Sequence, residues 1–311
     1  GQDGSYLAEQ LVKNGYEVHG IVRRHSVAEN QDARIKHLSK DLNLHYGDLL
    51  DPYSITRIMN DVKPEEIYNL GAMSHVRISF DMPAFTIQTN AVGVLNMLEA
   101  YRNIVPDARF YQASSSEMFG NCVEDNGSQN ENTHMKPVSP YGCAKLLGYN
   151  LVRHYRHAYK LHACNGILFN HESPRRGSNF VTNKVVKTAV QISKGKADKL
   201  VLGNLDSYRD WGHSKDYVRA MQMIVNHKSP DDFVVATGKT QSVRDLCKTT
   251  FDYLGMDYRD YVIQDDKFKR PEELNYLCGD SSKARSILGW EPTYTFETMI
   301  REMVDYWKDH V

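Results

Sequence analysis

Arg109-Phe110-Tyr111-Gln112-Ala113-Ser114-Ser115-Ser116-Glu117 decides the fold. Arg109 to Ala113 reads as a strand that runs into three hydroxyls and a carboxylate. Upstream, Tyr16 to Val22 is a strand after Gly15, and His45-Tyr46-Gly47-Asp48-Leu49 ends another. Ile55 to Val62 has helical spacing and stops before Pro64. Glu66 to Leu70 is a third strand, followed by Gly71-Ala72. Asn90 to Tyr101 reads as a helix with Val94, Leu95 and Leu98 apolar. Downstream, Tyr141 to Tyr159 is a long helix and His162 to Phe169 the next strand. Repeated β-α-β predicts an α/β fold with a doubly wound parallel sheet, the Rossmann arrangement. Such sheets take ligands at the carboxyl ends of their strands, where the serines, Gly71-Ala72 and Asp48 all lie.

The second half is less regular. Asn170 to Phe180 reads as a polar, arginine-containing loop, and Val181 to Lys194 as a helix. Leu200-Val201-Leu202 is a short strand, Asp216 to Val225 a helix, Phe233 to Ala236 a strand and Val243 to Leu254 a helix. Phe296 to Trp307 is amphipathic and closes the chain against the core. The absence of a repeat or linker predicts two intertwined lobes. Residues 1–170 form the dinucleotide-binding domain, to which a segment near 205–238 returns. Residues 171–311 are mainly a smaller, mixed α/β substrate-binding lobe at the C-terminal side.

With 311 residues, 41% hydrophobic and 25% charged, the chain has the balance of a soluble globular protein. A net charge of -1 favours neither nucleic acid nor a membrane surface. Five scattered cysteines without a C-x-x-C point to reduced thiols and no metal site. No apolar stretch spans a bilayer and no signal peptide is read, so a cytoplasmic location is expected.

Gly1-Gln2-Asp3-Gly4-Ser5-Tyr6-Leu7 leads straight into a helix with Leu7, Leu11 and Val12. Gly1 and Gly4, three apart at a helix start, let backbone N–H groups approach a pyrophosphate, though they also suit a flexible terminus. A dinucleotide fold needs a strand before that turn, so a further strand and a first glycine are expected outside this sequence. Cofactor choice falls at the end of the second strand of such a domain. There Ile21-Val22-Arg23-Arg24 offers two guanidiniums and no acid, which favours the 2′-phosphate of NADP over NAD. The other reading has one arginine facing solvent or a second subunit. Asp48 is placed either to accept from an adenine amino group or to cap the helix before Ile55.

Tyr141 and Lys145, in Ser139-Pro140-Tyr141-Gly142-Cys143-Ala144-Lys145, are four apart and project from one helix face. An ammonium beside the phenol is expected to lower its pKa, which suits proton removal from an alcohol whose carbon loses hydride. For the bare pair, a surface lysine over a half-buried tyrosine is the favoured reading. Ser115 and Glu117 upstream tip the balance towards chemistry, while at least one of the three serines is expected to be structural.

Further stretches carry a resemblance. They are Gly1 to Glu9, Val18 to Arg24, Ser139 to Gly142, Cys164 to Gly177, Gly203-Asn204-Leu205-Asp206, and Arg209-Asp210-Trp211-Gly212-His213. Together these resemble the extended short-chain dehydrogenase/reductase family, and within it the nucleotide-sugar branch of GDP-mannose 4,6-dehydratases. Three positions depart from its pattern: Ser115 in place of threonine, Met73 in place of glutamine, and the stretch His25 to Gln31. The resemblance implies an NADP-dependent lyase. GDP-mannose would be oxidised transiently at C4, lose water across C5–C6 and be reduced at C6, yielding a deoxysugar. Tyr141, Lys145, Ser115 and Glu117 would be catalytic, with Ser116 orienting the glutamate. Gly1, Gly4, Arg23, Arg24, Asp48, Leu49, Leu70, Gly71, Ala72, Tyr141, Lys145, His171 and Arg176 would face NADP. Asn170, Lys184, Arg209, Arg270 and Glu273 would hold the GDP part, and Arg175 would lie near the cofactor or a subunit contact.

The resemblance also implies a homodimer or homotetramer. His75, His171 and His213 show no ligand spacing and are read as packing or hydrogen-bonding residues, and Trp211 as core. Two other functions stay open: a dehydratase or epimerase for a different nucleotide-sugar, and a silent NADP-binding sensor or scaffold.

Overall fold

The computed structural model describes residues 1–24, 34–268 and 271–311. The first half runs α1 (Gln2–Lys13), β1 (Val18–Val22), β2 (Leu42–Tyr46), α2 (Pro52–Val62), β3 (Glu66–Asn69), α3 (Val76–Asp81), α4 (Pro83–Ile87), α5 (Gly93–Ile104), β4 (Arg109–Ser115), α6 (Pro140–Tyr159) and β5 (His162–Leu168). The second runs β6 (Asn170–Glu172), α7 (Val181–Ser193), β7 (Leu200–Leu202), β8 (Tyr208–His213), α8 (Ser214–Asn226), β9 (Asp232–Val235), β10 (Thr240–Ser242), α9 (Val243–Tyr253), β11 (Val262–Gln264) and α10 (Phe296–His310).

A four-stranded parallel sheet in the order β3-β4-β5-β9 forms the centre. β1 and β2 pair in parallel as a separate two-stranded unit. Alternation along β4 explains why helices cover both faces. Phe110 points to one side and stacks on Tyr101 at 5.4 Å, in a core with Ile55, Leu98 and Val152 from α2, α5 and α6. Tyr111 points to the other side, into a core with Leu7 of α1, Tyr217 and Met221 of α8, and Trp290. α8 and β9 therefore pack into the first unit although they follow β8 in the chain. A third core, with Val186, Trp211, Leu246, Phe251 and Met303, unites α7, β8, α9 and α10. Here β8 lies between antiparallel β10 and parallel β6.

The helix boundaries have local causes. Asp51 accepts from Tyr53 N at 3.1 Å and Pro52 opens α2, so that helix starts before Ile55. α5 starts at Gly93, not Asn90, because a π-helical turn, Gln88–Val92, precedes it. In that turn Asn90 bonds Met73 N at 2.8 Å and Met73 O at 2.9 Å. The stretch read as a loop from Asn170 begins as strand β6, paired with Trp211, Gly212 and His213 of β8. Trp211 is core, as expected, and stacks on Phe296 at 5.9 Å.

Candidate active site

β4 delivers the serines to the carboxyl edge of the sheet, and each takes a different role. Ser114 Oγ donates to Asn165 Oδ1 on β5 at 3.0 Å, which makes it the structural one. Ser115 Oγ accepts from Glu117 N at 3.2 Å and caps the short turn Ser116–Met118. Its hydroxyl also shares a hydrogen bond with Tyr141. Glu117 is 7% exposed and close enough for its charge to act on the phenol.

α6 presents Tyr141 on its first turn. Ser139 accepts from Gly142 N at 3.0 Å, Pro140 opens the helix, and Ser79 Oγ of α3 accepts from Tyr141 N at 3.3 Å. A β-carbon on residue 142 would lie 2.8 Å from Glu117 O and 2.9 Å from Pro137 Cβ. Glycine thus permits the approach that brings the tyrosine turn against the glutamate turn. Lys145 Nζ donates to Ala113 O at 2.9 Å and lies 5.7 Å from the Tyr141 ring centre.

The electrostatics correct one expectation. Burial pushes Tyr141 up to about 12; the Ser115 hydrogen bond opposes this and the Glu117 charge adds to it. Burial also pulls Lys145 down to about 8, against the charge of Asp3. The lysine therefore does not lower the phenol. Desolvation dominates both groups, and the ammonium is committed to a carbonyl.

On the cofactor side, a β-carbon at Gly1 or Gly4 would meet nothing within 4 Å, so the start of α1 is open to an anion. Asp3 in that turn stays ionised, with its charge paired to His171. His171 Nε2 donates to it at 2.9 Å and Ser214 Oγ at 3.0 Å, which holds its carboxyl far below the usual range despite burial. His171 Nδ1 donates to Phe169 O at 2.7 Å. Burial opposes the imidazolium, but Asp3's charge and hydrogen bond outweigh it and raise the pKa. Leu49 lies between two glycines: β-carbons at Gly71 and Gly93 would each come within 2.8 Å of it. Leu70 and Ala72 are half-buried beside Gly71. Asp48 Oδ1 accepts from Leu50 N at 2.9 Å, and Asp51 makes the helix cap instead. Arg23 and Arg24 are exposed just after β1. Arg176 stands over the Phe180 ring at 3.7 Å and pairs with Glu172 at 3.1 Å. An open helix start, a glycine-lined floor and two exposed guanidiniums after β1 fit a dinucleotide.

Among the residues expected to hold the GDP part, Asn170 Oδ1 is buried without a hydrogen-bond partner among the described residues. Lys184 Nζ donates to Val201 O at 2.7 Å and stands 4.2 Å over the Phe268 ring. Arg209 is buried and donates to Tyr208 O at 2.8 Å. Its strand is anchored by Asp210, which accepts from Thr237 N and Gly238 N at 2.9 Å each and from Gly279 N at 3.2 Å. Burial raises Asp210 to about 6. Glu273 is tied to the catalytic side, since its carbonyl accepts from Asn121 Nδ2 at 3.3 Å. Arg270 and the stretch His25 to Gln31 lie outside the described residues. Arg175 covers the Tyr6 ring at 4.0 Å, donates to Ser5 Oγ at 3.1 Å and pairs with Glu9. The sequence assigned Asp3, Ser79, Gly142 and Asp210 no role. Of these, only Gly142, next to Tyr141, stands where its spacing could have pointed to one.

Comparison with known proteins matches residues 1–303 to the family model described as GDP-mannose 4,6 dehydratase. A Homo sapiens protein named GDP-mannose 4,6 dehydratase is 46% identical over 98% of this chain and 88% of its own length. A Vibrio cholerae protein named GDP-mannose 4,6-dehydratase is 45% identical over 98% of this chain and 90% of its own. Among solved structures, a Thermotoga maritima UDP-glucose 4-epimerase with UDP-glucose superposes with a TM-score of 0.87 at 23% identity, covering 100% of this chain and 96% of that one. RMD from Pseudomonas aeruginosa complexed with NADPH gives 0.79 at 24% identity, covering 89% and 95%. These two likenesses bear on the fold, which they share.

Proposed function

Because the chain belongs to the GDP-mannose 4,6-dehydratase family, we propose that it is an NADP-dependent lyase converting GDP-mannose to GDP-4-keto-6-deoxymannose and water. The observation that carries this reading is Glu117, buried one short turn from Ser115 and acting on Tyr141. Oxidation or epimerisation at C4 needs no carboxylate there, whereas elimination does.

Gly1 and Gly4 would receive the pyrophosphate, Arg23 and Arg24 the 2′-phosphate, with Asp48, Leu49, Leu70, Gly71, Ala72, His171 and Arg176 completing the cofactor edge. When bound, NADP supplies the transient hydride acceptor at C4 and the donor at C6. Tyr141 takes the proton of the C4 hydroxyl while Ser115, hydrogen-bonded to it, holds the C4 oxygen in line. A negative charge arising on Tyr141 offsets the burial penalty on the Lys145 ammonium, so the two charges develop together. Glu117 then removes the C5 proton, acidified by the C4 ketone, and gives it to the departing 6-hydroxyl, which leaves as water; reduction at C6 is matched by a proton added at C5, which balances the one Tyr141 took from the C4 hydroxyl. Acid–base steps of this kind contribute about 10²–10⁴-fold each. Asn170, with its unanswered acceptor, and Lys184, Arg209, Arg270 and Glu273 would hold the GDP moiety.

The reading includes a homodimer or homotetramer. Met82, Ile87, Val92, Leu95 and Leu147 leave an exposed apolar face across α4, α5 and α6. Glu99 and Arg102 put both signs on it, so a second copy of the same face would be complementary in charge. The deciding experiment is incubation with GDP-mannose, without added reductant, followed by mass analysis for loss of one water. Parallel tubes hold UDP-glucose and dTDP-glucose. Turnover of GDP-mannose alone is expected; turnover of another nucleotide-sugar alone transfers the same chemistry to that base, and no turnover overturns the reading.

A further inference from the structure

His75 stands outside the residues assigned to chemistry, yet its ring joins α3 to the segment that carries Asn179 and Phe180. It follows the cofactor edge, Gly71-Ala72, and the backbone of Met73 just before it is clamped by Asn90. Its ring makes two hydrogen bonds that require one tautomer. Nδ1 accepts from Ile78 N at 3.2 Å and caps α3, so Nε2 carries the proton and donates to Asn179 O at 3.3 Å. The ring also packs on Phe180, centroids 5.3 Å apart.

Both ends of this bridge are anchored. On the near side, α3 carries Ser79, whose hydroxyl accepts from Tyr141 N. On the far side, Phe180 lies under Arg176, Arg176 pairs with Glu172, and Asn183 Nδ2 donates to Arg176 O at 2.6 Å. Asn183 Oδ1 in turn accepts from Trp307 of α10 at 2.5 Å. A connected path of contacts thus runs from the cofactor edge through His75 to the closing helix.

We propose that His75 is a positioning residue, a latch through which occupancy of the cofactor edge tightens the 173–180 segment for the nucleotide-sugar. The proposal rests on the functional reading above. Binding on one side fixes the spacing of the other through the Nε2–Asn179 hydrogen bond, which makes the two affinities interdependent. The two ring nitrogens allow the latch to be separated from the helix cap. His75→Asn keeps an acceptor at the Nδ1 position, and asparagine is a strong N-cap, but it cannot reach Asn179. His75→Gln keeps a donor near the Nε2 position and loses the cap.

The test is titration of GDP into the full-length protein with and without saturating NADPH, alongside thermal midpoints. Wild type is expected to bind GDP about 5–150-fold more tightly with NADPH present. His75→Asn should bring that ratio within twofold of unity with its midpoint near wild type. His75→Gln should retain the ratio with a lower midpoint. A purely structural histidine leaves the coupling in His75→Asn at the wild-type value, whatever His75→Gln does, and that result overturns the latch. Wild type that dehydrates GDP-mannose yet shows no coupling overturns the latch alone. Wild type that neither binds GDP nor dehydrates GDP-mannose overturns the functional reading and the latch with it.

Discussion

Glu117 and Lys145 show how one side chain's surroundings set its chemistry. A glutamate on a solvated loop would be one carboxylate among many; Glu117 is buried, with its backbone N–H on Ser115 and its charge felt at Tyr141, and in the proposed reading it is the base that moves the C5 proton. Glu117→Gln preserves shape and removes the base. Dehydration should fall by about 10²–10⁴-fold while NADPH and GDP affinities stay within twofold; a rate near wild type would remove its role. Lys145 makes a stability prediction. Its folded pKa is lowered to about 8, so between about pH 8 and 10 the unfolded chain binds more protons there than the fold does. The Lys145-dependent part of stability should therefore rise with pH across that window. Urea midpoints of wild type minus Lys145→Met should increase from pH 8 to 10; a constant difference contradicts the shift. The Tyr141–Lys145 spacing and the serine–glutamate run were legible because they are local. The sign of the tyrosine shift was not, because burial is a tertiary property. Nor were Ser79 and His75, whose partners lie 62 and 104 residues away in the chain.

Among the elements, those with strong periodicity or apolar runs were legible: β4, β5, α6, α7 and α10 stand within a few residues of their sequence readings. β8 was not, because Tyr208-Arg209-Asp210-Trp211-Gly212-His213 has no apolar alternation. Its polarity is tolerated in the interior because partners distant in sequence, such as Thr237, Gly238 and Gly279 around Asp210, satisfy it. α3 and α4 are short, and a histidine cap and a proline mark their starts more faintly than a serine or aspartate would. The contact between α6 and the Ser116–Met118 turn gives the prediction at this scale. Gly142→Ala places a β-carbon 2.8 Å from Glu117 O, closer than real contacts allow, so one of the two turns must shift. Such a shift moves Tyr141 against Glu117, and a misplacement of about 1 Å can cost 10²-fold in rate. The variant should fold, by circular dichroism, bind NADPH, and lose about that factor in turnover. Unchanged turnover would mean that the approach of these turns does not set the geometry of the site.

At the scale of the whole molecule, α5 carries two stripes offset by one residue. Val94, Leu98 and Tyr101 are buried against β4 and α2, while Leu95, Glu99 and Arg102 look outward. The outer stripe continues across α6 at Leu147, 48% exposed, and across α4 and the turn before α5 at Met82, Ile87 and Val92. Single exposed apolar residues are ordinary on a protein surface; several on adjoining helices, with a mixed-sign pair among them, are what a two-fold interface needs. Leu95 and Leu147 are themselves exposed and are not among the residues assigned to the cofactor or the sugar, so replacing them should leave those residues in place. Leu95→Glu combined with Leu147→Glu places like charges opposite one another in a symmetric contact. Light scattering should show wild type at a multiple of the 35.7 kDa chain mass and the double variant at the monomer mass, with NADPH binding kept. A monomeric wild type, or a double variant that keeps the wild-type mass, would show that this face does not hold two copies together.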